Sequence, residues 1–119
     1  RYRISGRVVT TLVDNMGRNL GTDFKIELCN ISIGGLSFLV RISQKVNGRL
    51  LLGRKLQVHF PAVDKTSEGV TVVGDILSVK NTNAVGNDYS LHMKFDRLLD
   101  QTQLQDIVKA MQQESPVVE

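Results

Sequence analysis

The chain has 119 residues, 41% of them hydrophobic and 23% charged, with a formal net charge of +3. That is the size and composition of one domain with its own core, which argues against a disordered chain and against a second domain. No apolar run approaches the roughly 18 residues of a membrane-spanning helix, and Arg1-Tyr2-Arg3 is not followed by an apolar signal core. A soluble, cytoplasmic module is expected, or the cytoplasmic domain of a larger protein. The opening Arg in place of Met reads as a piece of a longer chain. The single cysteine, Cys29, has no partner for an internal disulfide and suits a reducing compartment.

Residues 2–13 are rich in Val, Thr, Ile and Tyr and predict a strand, with Gly6 as a bulge or point of close approach. In extended backbone Arg1, Arg3, Ser5 and Arg7 share one face, giving a stripe of three cations. Arg49, Arg54 and Lys55 form a second basic group. Asp14-Asn15-Met16-Gly17 has the chemistry of a turn. Phe24, Ile26 and Leu28 then alternate with Lys25, Glu27 and Cys29 in a half-buried strand that runs into a polar loop at residues 30–35. Leu36, Phe38 and Val40 resume the alternation.

Further on, Gln44-Lys45-Val46-Asn47-Gly48 reads as a hairpin tip with an Asn-Gly turn. Leu56, Val58 and Phe60 mark a strand that Pro61 ends. Residues 63–68 form a polar connection to a β-branched run at 70–80, whose apolar parity changes near Gly74-Asp75 and predicts a bulge there. After a polar turn at 81–88, Tyr89, Leu91, Met93 and Phe95 alternate without error against Ser90, His92 and Lys94. The period then becomes helical at Leu104, Ile107, Val108 and Met111. Asp100 caps that helix with Gln103 three residues on, and Pro116 lies beyond its end. The sum is a mainly β fold: a small six-stranded antiparallel, split β-barrel with a C-terminal α-helix over residues 1–113, and a tail at 114–119.

Enzyme motifs are absent. There is no Gly-rich phosphate loop ending in Lys-Ser or Lys-Thr, no paired cysteine spacing, no histidine pair at metal-ligand spacing and no nucleophile elbow. The expectation is a protein without catalytic residues, metal or cofactor. His59 and His92 fall on the polar faces of their strands and read as surface histidines.

What remains is the arginine stripe and Asn30-Ile31-Ser32-Ile33-Gly34-Gly35. In isolation the hexapeptide is a tight turn, in which Asn and Ser bond their own backbone and Gly supplies a strained dihedral. In this order, ahead of these strands, the residues resemble the PilZ family of small β-barrel receptors for cyclic di-GMP. That family carries Arg-x-x-x-Arg ahead of the first strand and Asp/Asn-x-Ser-x-x-Gly between the second and third. Asn30, Ser32 and Gly35 match the second motif in full, with Gly34 completing a Gly-Gly pair. Residues 89–95 are similar to the family's last strand, with His92 where Gly is common. The arginine motif has two alignments. Arg3 and Arg7 match it literally; alternatively Arg1-Tyr2 is its second half, which leaves Tyr2, Ile4 and Val8 on the inner face.

The resemblance implies cyclic di-GMP as ligand, Arg1, Arg3 and Arg7 as the arginine pool, and Asn30, Ser32, Gly34 and Gly35 as loop contacts. Two phosphates attract the arginines. Each guanine offers O6 and N7, which a guanidinium meets bidentately for about 1–3 kcal/mol. A mobile N-terminal segment would fold over the ligand and signal to an upstream domain or a protein partner, with no DNA and no membrane contact. The alternative is a degenerate PilZ-like barrel acting as a protein-interaction module without nucleotide. A single-stranded nucleic-acid barrel ranks lowest, because four Phe, two Tyr and no Trp leave few stacking platforms.

Overall fold

A computed structural model describes residues 1–21, 23–41, 51–62, 69–82 and 88–112. The hairpin expected at Gln44 to Gly48, the connection at 63–68 and the tail at 114–119 lie outside these residues. The strands are β1 (Tyr2–Arg3), β2 (Arg7–Val13), β3 (Phe24–Ile31), β4 (Gly35–Arg41), β5 (Lys55–Phe60), β6 (Val70–Asn81) and β7 (Asp88–Phe95), followed by helix α1 (Gln101–Gln112). Neighbours run β3-β2-β5-β6-β7-β4, and a β3–β4 pairing closes the ring into a six-stranded antiparallel barrel, with the short β1 pairing along the same edge of β3 as β2. Closure leaves few backbone groups unpaired, so the barrel carries little exposed edge.

The alternating apolar residues do what their period demands. Ile26, Leu28, Leu36, Phe38, Leu56, Val58, Leu91 and Met93 are each 4% exposed or less and fill the interior. Thr10 and Thr11 are also buried, and each hydroxyl has a partner: Thr10 Oγ1 donates to the Phe24 carbonyl (3.0 Å) and Thr11 Oγ1 to Asp23 Oδ1 (2.8 Å). α1 adds Leu104, Ile107, Ala110 and Met111 to the same core, with Val108 only partly buried. Its start is a reciprocal cap: the Gln103 N–H donates to Asp100 Oδ1 (2.7 Å) and the Asp100 N–H to Gln103 Oε1 (3.2 Å). Asp100→Ala is expected to cost about 1 kcal/mol and to lower the thermal midpoint by about 4 °C, read by a far-UV dichroism melt.

Three details differ from the sequence pattern. The expected strand at 2–13 is broken between β1 and β2, where Gly6 takes φ +101°. Both pieces still pair with β3, since the Ile4 N–H donates to the Cys29 carbonyl (3.0 Å) and the Leu28 N–H to that of Gly6 (2.9 Å). In β6 the inward parity runs unbroken through Val72, Gly74 and Ile76, and the bulge sits later, between Ile76 and Ser78. The pattern falters at Gly74 only because that inward position has no side chain. Lastly, Tyr2 pairs with the buried Ile31 yet is 47% exposed, lining a shallow groove with Leu104, Gln105, Val108 and Lys109 of α1.

Candidate functional site

The polar motif is built by a bulge. Phe24, Ile26 and Leu28 point inward along β3, so strict alternation would send Asn30 into the core. The register with β4 instead shifts between Leu28 and Asn30. Cys29 is the extra residue; it and Asn30 are both half-buried on the outer side, and Ile31, fully buried, takes the next inward place. Without that bulge Asn30 would be a buried amide lacking a ligand-facing edge.

Once turned outward, Asn30 joins a row that runs across the barrel. Arg3 of β1 is opposite Asn30, Asn30 is opposite Ser37 of β4, Ser37 is opposite His92 of β7, and His92 is opposite Ser78 of β6. Residues directly opposite in antiparallel strands share a face. Along this row Ser37 Oγ and His92 Nδ1 are hydrogen-bonded at 3.1 Å. Arg1 Nη1 donates to Asn30 Oδ1 at 2.5 Å, so an arginine and the first residue of the hexapeptide meet directly.

The loop itself is shorter than the sequence pattern implies, because Asn30 and Ile31 belong to β3 and Gly35 opens β4. The Ser32 N–H donates to the Gly35 carbonyl (2.9 Å), and the Gly34 N–H donates to Ser32 Oγ (3.4 Å), which leaves the Ser32 hydroxyl proton to donate elsewhere. Two further bonds fix the loop to the segment leading into α1: Phe95 N–H to the Gly34 carbonyl (2.9 Å) and Leu99 N–H to the Ile33 carbonyl (2.8 Å). Neither Gly34 nor Gly35 has a positive φ, so they do not supply a strained dihedral. Gly35 is there for proximity. A Cβ on it would lie 2.7 Å from the Met93 carbonyl oxygen and 3.5 Å from Cε1 and Nε2 of His92.

The three arginines do not form one stripe. Arg1 reaches Asn30, and Arg3 stands opposite it with its own carbonyl accepting a bond from Gln112 Nε2 (2.6 Å). Arg7 pairs with Glu27 and lines a separate hollow of about 410 Å³ with Lys25, Leu39, Arg41 and Asp88. The break at Gly6 separates them. Nor is the N-terminal segment loose: β1 is paired to β3, and Ser5 bonds the Met111 carbonyl through its N–H (3.1 Å) and hydroxyl (3.3 Å).

His92 is the residue that sequence reasoning undervalued. It is half-buried, and burial first and the nearby Arg1 guanidinium second hold its pKa below the ordinary imidazole value. Its alternation placed it on the outer face, but only the β4–β7 pairing sets it beside Ser37. Burial first and then Glu27 push the pKa of the Cys29 thiol up, which disfavours its thiolate. Among the described residues no cluster of three or more His, Cys, Asp or Glu is arranged to hold a metal ion. A larger hollow of about 520 Å³, lined by Thr71, Asp96, Arg97, Asp100 and Gln103 among others, lies near the start of α1 and includes none of the motif residues. Donor chemistry, not volume, selects the Arg1–Asn30 face.

A closed six-stranded barrel with one C-terminal helix and an outward Asn-x-Ser-x-Gly-Gly corner defines a class of small β-barrel domains. Residues 1–113 match the family model of the PilZ domain, and the chain belongs to that family, whose common role is cyclic di-GMP binding and whose members are receptor modules and not enzymes. Among solved structures it is similar in fold to the Bacillus subtilis inhibitor of motility MotI/DgrA, with a TM-score of 0.52 at 9% identity. The match covers 90% of this chain and 47% of that one, so the chain spans about half of its length. No match was found among curated proteins. Among the described residues no helix is long and apolar enough to cross a membrane.

Proposed function

We propose that the chain is a cyclic di-GMP receptor module of a bacterial signalling protein, acting in the cytoplasm. The ligand is held between Arg1 with Arg3 and the loop of Asn30, Ser32, Gly34 and Gly35. The observation that carries this reading is the contact of Arg1 with Asn30, which joins the arginine segment to the hexapeptide. In the bound state the guanidinium leaves Asn30 Oδ1 for a guanine edge or a phosphate, and Asn30 and the Ser32 hydroxyl bond the ligand in turn. Gly34 and Gly35 let it approach the backbone. Arg7, beside Glu27, adds to the positive field but does not touch the ligand. Because the arginine segment is already paired to β3 and tied to α1, binding acts on a docked segment, and its output passes to a partner domain or protein through that segment or α1.

Titration calorimetry with cyclic di-GMP tests the proposal. Binding at moderate salt is expected; a folded sample giving no heat with excess ligand overturns it. Ser32→Ala is expected to weaken binding about tenfold, the worth of one hydrogen bond to a charged or polar ligand group, with an unchanged melt. Equal affinity in that variant removes Ser32 from the site. The competing reading, a barrel that has lost the nucleotide and docks a protein, is favoured by one observation: Ile33 and Leu98 are exposed beside the loop, at 38% and 71%. The same titration separates the two.

A further inference from the structure

His92 stands in the middle of the polar row, half-buried, with one ring nitrogen committed. Nδ1 is bonded to Ser37 Oγ at 3.1 Å. The Cε1–Nε2 edge lies across Gly35, 3.5 Å from where a Cβ would be. Gly35 therefore leaves space on both its sides: for the Met93 carbonyl beneath and for the imidazole above. The Ser37 bond and the space left at Gly35 seat the ring beside the loop, in the same row as Asn30.

The groups around it are polar or positive. β4 presents Ser37 and Gly35, β6 presents Ser78, the N-terminal segment presents Arg1, and Ser90 and Lys94 flank it on β7. Asp75, opposite Lys94, is engaged by Lys55 at 3.1 Å. Among the described residues no carboxylate pairs with the ring, and a phosphate oxygen is the anion the site's ligand brings.

We infer that His92 is a further ligand-binding residue, whose imidazole takes a proton from solvent on binding and donates Nε2–H to a phosphate oxygen of the ligand while Nδ1–H donates to Ser37 Oγ. This rests on the reading that the face takes cyclic di-GMP. The proton balance is simple: in the free protein burial and then Arg1 disfavour the charged ring. A bound phosphate favours the charge, so the bound-state pKa is the higher one. Affinity is then greatest below the free-protein pKa and is lost as pH rises through the bound-state pKa. Each unit by which the ligand raises that pKa is worth about tenfold in affinity.

The test is calorimetry with cyclic di-GMP near pH 6.5 in two buffers of different ionisation enthalpy, for the wild type and His92→Gln. Glutamine keeps a hydrogen-bonding side chain but no titration. The wild type is expected to take up a sizeable fraction of a proton per ligand, and His92→Gln to lose that uptake and bind several-fold more weakly at acid pH. Every other titrating group is common to the two proteins, so the difference between them belongs to His92. Since the chain has two histidines, a His59→Gln variant leaves His92 as its one imidazole, and its NMR titration gives a second readout. The midpoint is expected to rise when cyclic di-GMP is added. Binding with equal uptake in both proteins, or an unmoved midpoint in a ligand-bound sample, overturns the role of His92 alone. No binding by the wild type overturns the reading beneath it as well.

Discussion

Arg1→Ala is expected to weaken cyclic di-GMP binding by roughly 10- to 100-fold, the loss of one bidentate guanine or phosphate contact of about 1–3 kcal/mol. The thermal midpoint should barely move. Arg1 is exposed, and its bond to Asn30 lies in water, where such contacts contribute little to folding. Arg1→Lys should recover only part of the loss, since an ammonium supplies the charge but neither the planar fork nor a face to stack on a purine. Geometry also predicts an order among the three arginines. Arg3→Ala, opposite Asn30, should have an intermediate effect, and Arg7→Ala, facing Glu27, the smallest. Calorimetry at two ionic strengths checks both parts: the wild-type affinity falls with salt, and Arg1→Ala flattens that dependence. Equal affinity for the wild type and Arg1→Ala, or the reverse order, removes Arg1 from its place in the site.

That ranking was not legible in the sequence, and the reason is local. A two-residue period predicts one continuous face for Arg1, Arg3 and Arg7, yet the positive φ at Gly6 interrupts β1 and β2, leaving Arg3 beside Ile4, Ser5 and Gln112 and Arg7 in the hollow with Glu27 and Asp88. Composition marked Gly6 as a special position without saying which way the chain turns. The barrel was legible because its strands alternate cleanly: Tyr89, Leu91, Met93 and Phe95 are all buried where the pattern puts them. The helix cap was legible because Asp100 and Gln103 sit at the spacing that two reciprocal bonds require.

Strand adjacency was the missing information. β4 and β7 are far apart in sequence, and nothing in either segment says that Ser37 will meet His92. The bulge at Cys29 was hidden for a different cause. The segment read as a loop because its polar residues break the alternation, whereas Asn30 and Ile31 remain in β3 and exchange faces. The motif thus supplied the identities of the residues that face outward, while the bulge supplied the direction.

Gly74→Ala is expected to be the most damaging single-methyl change, lowering stability by about 3 kcal/mol and the thermal midpoint by about 10 °C. A strand glycine ordinarily gains from alanine, which restricts the unfolded chain. Here the sign reverses. A Cβ at this inward position would lie 2.3 Å from the Lys94 carbonyl oxygen and 2.8 Å from Met93 Cε. The methionine end can swing away, but the carbonyl belongs to β7. Gly74 is paired with Leu56 on one side and Phe95 on the other, so β6 cannot retreat from β7 without disturbing β5. In a closed barrel the displacement has no free edge to relax into. Gly35→Ala presents a milder version, with its Cβ 2.7 Å from the Met93 oxygen at the very start of β4, where the loop can give. Its stability loss should be smaller, about 1–2 kcal/mol. Its binding loss should be larger, because the displaced corner carries Ser32 and presses on the His92 ring. Urea titrations of the two variants measure the first difference as a lowered midpoint at unchanged slope, and calorimetry on the folded fraction measures the second. Equal stability of Gly74→Ala and the wild type would show that β6 and β7 can separate at this point, and with it that the barrel is not closed as tightly as the Gly74 contacts require.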